Sequence, residues 1–198
     1  MSINESSQES AKTLEAGRGS EPSLVVQELK RVADSISAPQ LEKLIKAIMG
    51  HPRVFVYGTG RSGLMLKAFA MRLMQMGLTS YVVGETTTPS IKPGDLLVVA
   101  SASGETGSVL LTARSASKQG ADLLVITASP ESSLAQVQSP SLVIEAGTKS
   151  CESAASIQPL GSLFEQALLL VFDSMILAME HSGASSNDAM AARHASLE

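Results

Sequence analysis

The feature that most constrains this chain is a short run of β-forming residues that breaks into glycines and then opens a helix. The run is Val54 to Tyr57, the glycines are Gly58, Gly60 and Gly63, and apolar residues at helical spacing continue to Met76. A glycine-rich turn between a strand and a helix start directs backbone N–H groups outward, and the helix dipole adds partial positive charge there. The turn, with Arg61 and Ser62 at the helix start, is therefore suited to an anion.

A second turn of similar design follows the next core strand. Ser101, Ser103 and Thr106 surround Gly104 where an apolar run from Val98 ends. Hydroxyls and N–H groups suit a phosphate monoester. One hydroxyl would serve as an ordinary helix cap, but three exceed what a cap requires. The two turns predict one pocket that holds a phosphorylated sugar.

Strand and helix signals alternate along the chain. Strands are predicted at 54–57, 80–83, 96–101, 123–127 and 142–144, and helices at 62–76, 104–119, after Pro130 and from Gln158 onward. Two amphipathic helices, or one broken helix, precede the first strand. The strands are continuous apolar runs, which is typical of strands covered on both faces. The pattern predicts an α/β fold, a three-layer α/β/α sandwich with a five-stranded parallel sheet.

Length and composition limit the remaining possibilities. With 198 residues, the chain is expected to form one domain at 23–198, preceded by a flexible polar extension at 1–22. A net charge of −4 argues against nucleic acid as a partner. The single cysteine, Cys151, excludes an internal disulfide and a cysteine-cluster metal site. No signal segment is evident and polar residues interrupt the apolar run at 160–179, so we expect a cytoplasmic protein with no membrane partner.

The first glycine turn also matches a dinucleotide-binding fingerprint. Gly58, Gly60 and Gly63 have the required spacing, and Glu85 lies near the distance at which an acidic residue binds a ribose. The hydroxyl cluster of the second turn decides against this alternative, because a dinucleotide site does not call for it.

At this point the residues support a family resemblance. The phrases G-T-G-R-S-G and S-A-S-G-E-T resemble the SIS (sugar isomerase) domain from about Leu41 to the C-terminus. Within that family, Y-G-T-G-R-S-G, K-A-F-A-M-R-L-M, V-G-E-T-T-T-P, P-L-G-S-L-F-E and the terminal R-H-A-S-L-E resemble the 6-phospho-3-hexuloisomerases. The resemblance implies an isomerase that needs no metal or nucleotide cofactor and converts 3-hexulose 6-phosphate to fructose 6-phosphate, in the ribulose monophosphate pathway of formaldehyde fixation.

The resemblance also implies roles for particular residues. Glu165 matches the glutamate of P-L-G-S-L-F-E and is the candidate base; without the resemblance it would be read as a carboxylate favoured near a helix N-terminus. His194 lies in the terminal motif, in which Ser196 replaces an asparagine. Its imidazole is expected to protonate the ring oxygen and help open a furanose form, either in its own subunit's pocket or in that of a neighbouring subunit. Glu105 is a backup base, and Arg61 is expected to reach the phosphate or a sugar hydroxyl.

Assembly and two alternative functions complete the expectations. The apolar helices at 64–76 and 160–179 predict a subunit interface, with a methionine-rich core inside one subunit as the alternative. The resemblance implies a homo-oligomer, and a tetramer in particular.

An arabinose 5-phosphate isomerase would be expected to carry a lysine at the position of Arg61. A non-catalytic phosphosugar sensor also remains open, although the polar N-terminus offers no DNA-binding helix-turn-helix.

Overall fold

A computed structural model describes residues 20–146 and 156–196. The helices of the described residues are α1 (Glu21–Ser35), α2 (Ala38–Met49), α3 (Gly60–Gln75), α4 (Gly107–Lys118), α5 (Ser133–Val137), α6 (Ser162–His181) and α7 (Asn187–Ala191). The strands are β1 (Val54–Tyr57), β2 (Ser80–Val82), β3 (Leu96–Ser101), β4 (Asp122–Thr127) and β5 (Leu142–Val143). Cys151 and most of the predicted N-terminal extension lie outside the described residues.

The strands form one parallel sheet in the order β2-β1-β3-β4-β5. Side chains alternate between its faces: Leu96 and Val98 enter a core shared with α1, α2, α3 and α6, whereas Leu97 and Val99 enter a smaller core under α4 and α5. Because both faces are covered, every residue of β3 is buried. The predicted three-layer α/β fold is confirmed.

Some element boundaries differ from the predictions for local reasons. Helix α4 begins at Gly107 rather than Gly104, because Gly104 has a φ of +64° and Thr106 occupies the N-cap. Helix α3 begins two residues before the predicted Ser62, at Gly60. Helix α1 takes in residues 21 and 22 of the predicted extension, since proline is well accommodated in a first helical turn.

Helices α3 and α6 pack against each other, with the rings of Phe69 and Phe172 stacked 4.2 Å apart. By length and composition α6 could cross a membrane, but half of its most apolar window is buried inside the protein. The inner faces of both helices thus form core within one subunit. Their outer faces leave apolar side chains exposed, namely Leu64, Met71, Met74, Leu169, Leu170 and Leu177.

Polar side chains at the amino-terminal edge of the sheet are paired with one another. The buried carboxylate of Asp95 accepts hydrogen bonds from Arg53 Nε (2.8 Å) and the Lys92 amide (2.8 Å). His51 Nδ1 donates to the Ala47 carbonyl (2.6 Å), while Nε2 lies 2.9 Å from an Asp122 carboxylate oxygen. These contacts link the segment that leads into β1 with the starts of β3 and β4.

Candidate functional site

A cavity of about 250 Å³ lies outside the carboxyl ends of β1 and β3. The chain leaves β1 toward β2 on one side and reaches β3 on the other, so the cavity occupies the point where the strand order reverses. It is lined by residues from three connections: Thr59, Gly60, Arg61, Ser62, Ala100, Ser101, Ala102, Ser103, Thr106, Gly161 and Glu165. Parallel sheets of this kind bind ligands at this position.

Two glycines make the first wall of the cavity possible. A Cβ on Gly63 would lie 2.5 Å from the Gly58 carbonyl oxygen, so only glycine allows α3 to start this close to the end of β1. Gly60 has a φ of +56° and a Cβ there would meet no atom within 4 Å. Gly58 therefore acts behind the cavity, whereas Gly60 lines it.

The loop from Ser101 to Thr106 forms the second wall. Ser101 Oγ accepts the Gly104 amide (3.2 Å) and lies 3.2 Å from Thr106 Oγ1. Ser103 Oγ accepts the Glu105 amide (3.2 Å). The predicted hydroxyls are thus brought together by the loop's own hydrogen bonds.

Gly104 shapes this loop from behind. Its φ is +64°, and a Cβ at this position would lie 2.0 Å from Ser132 Oγ. Any side chain would push α5 away from the loop. Gly104 does not line the cavity, so its predicted binding role is a structural one in this subunit.

Three helices begin at the cavity: α3, α4 and α6. Their N-cap residues are Thr59, Thr106 and Gly161; neither threonine makes a side-chain capping hydrogen bond, and glycine has no side chain with which to make one. The first amides of a helix have no partner within the helix, and the helix dipole places partial positive charge beside them. The cavity therefore suits a phosphate.

Arg61 and Glu165 form an ion pair at the cavity, between Nε and Oε2. The Glu165 side chain is 12% exposed and that of Arg61 60% exposed, so the carboxylate is held inside the wall and the guanidinium extends to solvent. Glu165 lies in the first turn of α6, as predicted. A carboxylate fixed beside a cation in the wall of a cavity that suits a phosphate is placed where it could exchange a proton with a sugar.

Two other predicted carboxylates are engaged elsewhere. Glu105 Oε1 accepts the Ser133 amide at 2.7 Å, and this hydrogen bond holds the pKa of Glu105 below its usual range. A weakly basic carboxylate outside the cavity is a poor backup base. Glu85 lies 2.8 Å from Lys67 of α3 and does not line the cavity, so the ribose role of the dinucleotide alternative has no support.

His194 lies apart from the cavity of its own subunit. The preceding residue, Arg193, donates to the Gln75 carbonyl (3.0 Å) at the end of α3, whereas the cavity lies at the start of that helix. A 16-residue helix is about 24 Å long. His194 therefore does not reach Glu165 in the subunit described.

Four residues that line the cavity were not predicted as site residues from the sequence: Thr59, Ala100, Ala102 and Gly161. These residues line the cavity mainly because they adjoin the glycine and hydroxyl turns. Gly161 could have been found, because P-L-G-S immediately before an apolar helix marks a helix start.

Comparison with known proteins identifies the family. The SIS domain model matches residues 47–171, which include both cavity turns and Glu165. The chain belongs to the SIS domain family. The resemblance drawn from the glycine and hydroxyl turns is confirmed.

Relatives within the SIS family are similar over most of the chain. The 3-hexulose-6-phosphate isomerase of Bacillus subtilis is 40% identical over 177 residues, which are 88% of this chain and 95% of the relative. That of Mycobacterium gastri is 42% identical and covers 89% of each. A hypothetical protein of Methanococcus jannaschii, whose crystal structure is described as inferring a molecular function of 3-hexulose-6-phosphate isomerase, superposes with a TM-score of 0.77. It is 30% identical and covers 90% of this chain and 99% of its own.

Proposed function

We propose that the protein is an isomerase that converts 3-hexulose 6-phosphate to fructose 6-phosphate. The observation that carries this proposal is a carboxylate, Glu165, held in the wall of a cavity where three helices begin. Relatives about 40% identical that bear the name of this activity support the choice of substrate. The enzyme would act in the ribulose monophosphate pathway.

The phosphate is bound between the two turns. Hydroxyls of Ser101, Ser103 and Thr106 and the first amides of α3 and α4 supply donors for its oxygens. Because Arg61 pairs with Glu165, its guanidinium is better placed to donate to the sugar oxygens than to the phosphate. The sugar chain then extends from the turns toward α6.

Glu165 moves the proton between adjacent carbons. Its carboxylate takes the proton from C2, and the electron pair moves to the C3 carbonyl oxygen, which gives the anion of a cis-enediol. The hydroxyl proton on the C2 oxygen passes to the adjacent C3 oxygen, the C2 carbonyl forms, and the carboxylic acid of Glu165 returns its proton to C3. One base suffices, and Arg61 would stabilise the negative charge that develops on the oxygens.

His194 is proposed to complete a neighbouring subunit's cavity in a homo-oligomer, for which the family resemblance suggests a tetramer. Its position beyond the far end of α3 favours action on another subunit. The exposed leucines and methionines on the outer faces of α3 and α6 offer an apolar surface for assembly. Light scattering would give the number of subunits.

A coupled assay tests the proposed function. Ribulose 5-phosphate, formaldehyde and a hexulose-phosphate synthase supply the substrate, and fructose 6-phosphate is followed with and without the protein. We expect rapid turnover that falls by about 10²- to 10⁴-fold in Glu165→Gln, the usual range for loss of a general base. The exposed Glu42→Gln serves as the matched control.

Each outcome of this assay separates the alternatives. Absence of turnover by the wild-type protein would contradict the proposed activity, and turnover of arabinose 5-phosphate instead would favour the other isomerase. If Glu165→Gln kept the wild-type rate, the base would have to be another residue, but the proposed reaction would still hold.

A further inference from the structure

A buried carboxylate outside the cavity lining holds the segment that leads to Glu165. Glu28 lies on α1 and is only 8% exposed. Its Oε1 accepts the Ile157 amide (2.8 Å), and its Oε2 accepts Ser156 Oγ (2.8 Å) and Gln158 Nε2 (3.0 Å). All three donors belong to one short segment about 130 residues further along the chain.

Glu28 is ionised in this setting. Burial raises the pKa of its carboxyl group, but the hydrogen bonds from Gln158, Ile157 and Ser156 and the charge of Arg31 more than offset burial, so the pKa lies below its usual range. A buried charge is tolerated only where donors surround it. The carboxylate and the segment at 156–158 are therefore coupled, since neither is satisfied without the other.

The clamped segment continues directly into the active-site helix. The Gln158 side-chain oxygen accepts Gln166 Nε2 (2.8 Å), one residue after Glu165. The Pro159 carbonyl accepts the Ser162 amide (3.3 Å) and hydroxyl (2.9 Å) at the start of α6. Hydrogen bonds thus connect Glu28 to residues 156–158, and further hydrogen bonds connect residues 158 and 159 to the first turn of α6.

The turn itself is strained. Leu160 has a φ of +58°, a conformation that costs a non-glycine residue of order 1 kcal/mol or more. Its side chain is 76% exposed, so packing does not hold it there. The next residue, Gly161, lines the cavity. The surrounding hydrogen bonds must maintain this conformation.

We propose that Glu28 is a positioning residue for the isomerase reaction: its carboxylate clamps residues 156–158, which fixes the turn at 159–161 and sets the Glu165 carboxylate against the sugar. Glu28 does not line the cavity and takes no part in proton transfer. The inference rests on the proposed function, in which Glu165 is the base. A displacement of about 1 Å in a reacting group can reduce the rate by about 10²-fold.

The kinetic test compares Glu28→Ala with Glu42→Ala, which removes an exposed carboxylate from the neighbouring helix α2. We expect kcat to fall 10- to 100-fold in Glu28→Ala. KM should stay within twofold, because the phosphate is bound by the turns after β1 and β3. The control should retain both constants.

A second variant covers the case in which Glu28→Ala does not fold. Gln158→Ala removes one donor to Glu28 and the link to Gln166, while Ser156 and Ile157 remain on the carboxylate. We expect a smaller fall in kcat, about fivefold, again with little change in KM. In the Glu165→Gln background the same change should cost no more than twofold, because its effect acts through Glu165.

Hydrogen exchange supplies a readout that needs no substrate. In Glu28→Ala or Gln158→Ala the amides of residues 157, 158 and 160–165 should exchange at least tenfold faster, while those of β3 should not change; Glu42→Ala should match the wild type. Unchanged exchange in this segment would overturn the inference whatever the substrate is. A wild-type kcat in both Glu28→Ala and Gln158→Ala would also overturn it, as would a rise in KM without a fall in kcat. The same holds if Gln158→Ala lowers kcat as much in the Glu165→Gln background as in the wild type. A wild-type protein inactive on 3-hexulose 6-phosphate, with accelerated exchange in the variants, would overturn the proposed function and the catalytic part of this inference, leaving only a structural clamp.

Discussion

The amino-terminal edge of the sheet and the cavity at its carboxyl edge differ in whether their polar groups are paired within the protein. At the amino-terminal edge, Asp95 is satisfied by Arg53 and the Lys92 amide, and His51 faces Asp122. At the cavity, Thr59 and Thr106 make no side-chain capping bonds, and the third helix has Gly161 as its N-cap. Of the other helices described, α2, α5 and α7 are capped by Ser37, Ser132 and Ser186, whereas Ser20 makes no capping bond to α1. Internal pairing at one edge supports stability, whereas donors left available at the other support ligand binding.

The largest effect on stability is expected at the amino-terminal edge. Asp95→Ala removes a carboxylate whose side chain is 1% exposed; the Lys92 amide and Arg53 Nε lose their carboxylate acceptor, while Arg53 keeps its hydrogen bond to the Ser90 carbonyl. We expect the free energy of unfolding to fall by about 3 kcal/mol. Below the melting transition, kcat/KM should stay within twofold, because the cavity lies at the opposite edge. Urea unfolding and the coupled assay would measure both; a folded variant with lost activity would contradict the division between the edges.

At the carboxyl edge we expect the reverse pattern, in which substrate affinity falls and stability changes little, and the effect is smaller in free energy. Ser103→Ala removes a cavity hydroxyl, and we expect KM to rise about tenfold, equivalent to about 1.4 kcal/mol, with kcat within twofold. The free energy of unfolding should fall by no more than about 1 kcal/mol, because Ser103 is half-buried and its hydroxyl accepts one loop hydrogen bond, from the Glu105 amide. Ser117→Ala, on the exposed side of α4, is the matched control. An unchanged KM would remove Ser103 from the phosphate site.

The smallest expected effect is a change in the pH dependence of stability, which arises from His51. Burial lowers the pKa of His51, but its hydrogen bonds to Asp122 and the Ala47 carbonyl outweigh this, so the pKa lies above 6.5. Nδ1–H donates to the carbonyl, so Nε2 must also be protonated to donate to Asp122. The contribution to stability is therefore complete below the unfolded pKa and lost as pH rises through the folded pKa.

Comparison with Asp122→Asn isolates the His51 contribution. Below pH 6.5 the wild type should exceed the variant in unfolding free energy by up to about 1 kcal/mol, since Asp122 is exposed. The difference should shrink at higher pH, while kcat/KM of the two proteins should agree throughout. A difference that grew with pH would contradict the assigned protonation.

Much of the site could be predicted because it is local in sequence. The turns at Gly58 and Ser101 directly follow apolar strands, and parallel strands bring their carboxyl ends to one edge. Helix boundaries were less predictable, because the break at Gly104 depends on close contact with Ser132, 28 positions away. The position of His194 depends on how Arg193 contacts the end of α3, which periodicity does not encode.

The clamp at Glu28 was missed for a related reason. Its partners lie about 130 residues away, and no pattern in α1 specifies them. A signal was nevertheless present: Glu28 falls three residues after Val25 and four before Val32, on the apolar stripe of the helix. A charged residue on a stripe that faces the core must find partners there, and this could have prompted a search.

A crystal structure of the Glu165→Gln variant with fructose 6-phosphate tests the central claim most directly. The account predicts phosphate oxygens bonded to Ser101, Ser103, Thr106 and the first amides of α3 and α4, with C2 and C3 about 3–3.5 Å from the side chain at position 165. Phosphate bound outside these turns, or sugar carbons directed away from α6, would contradict it.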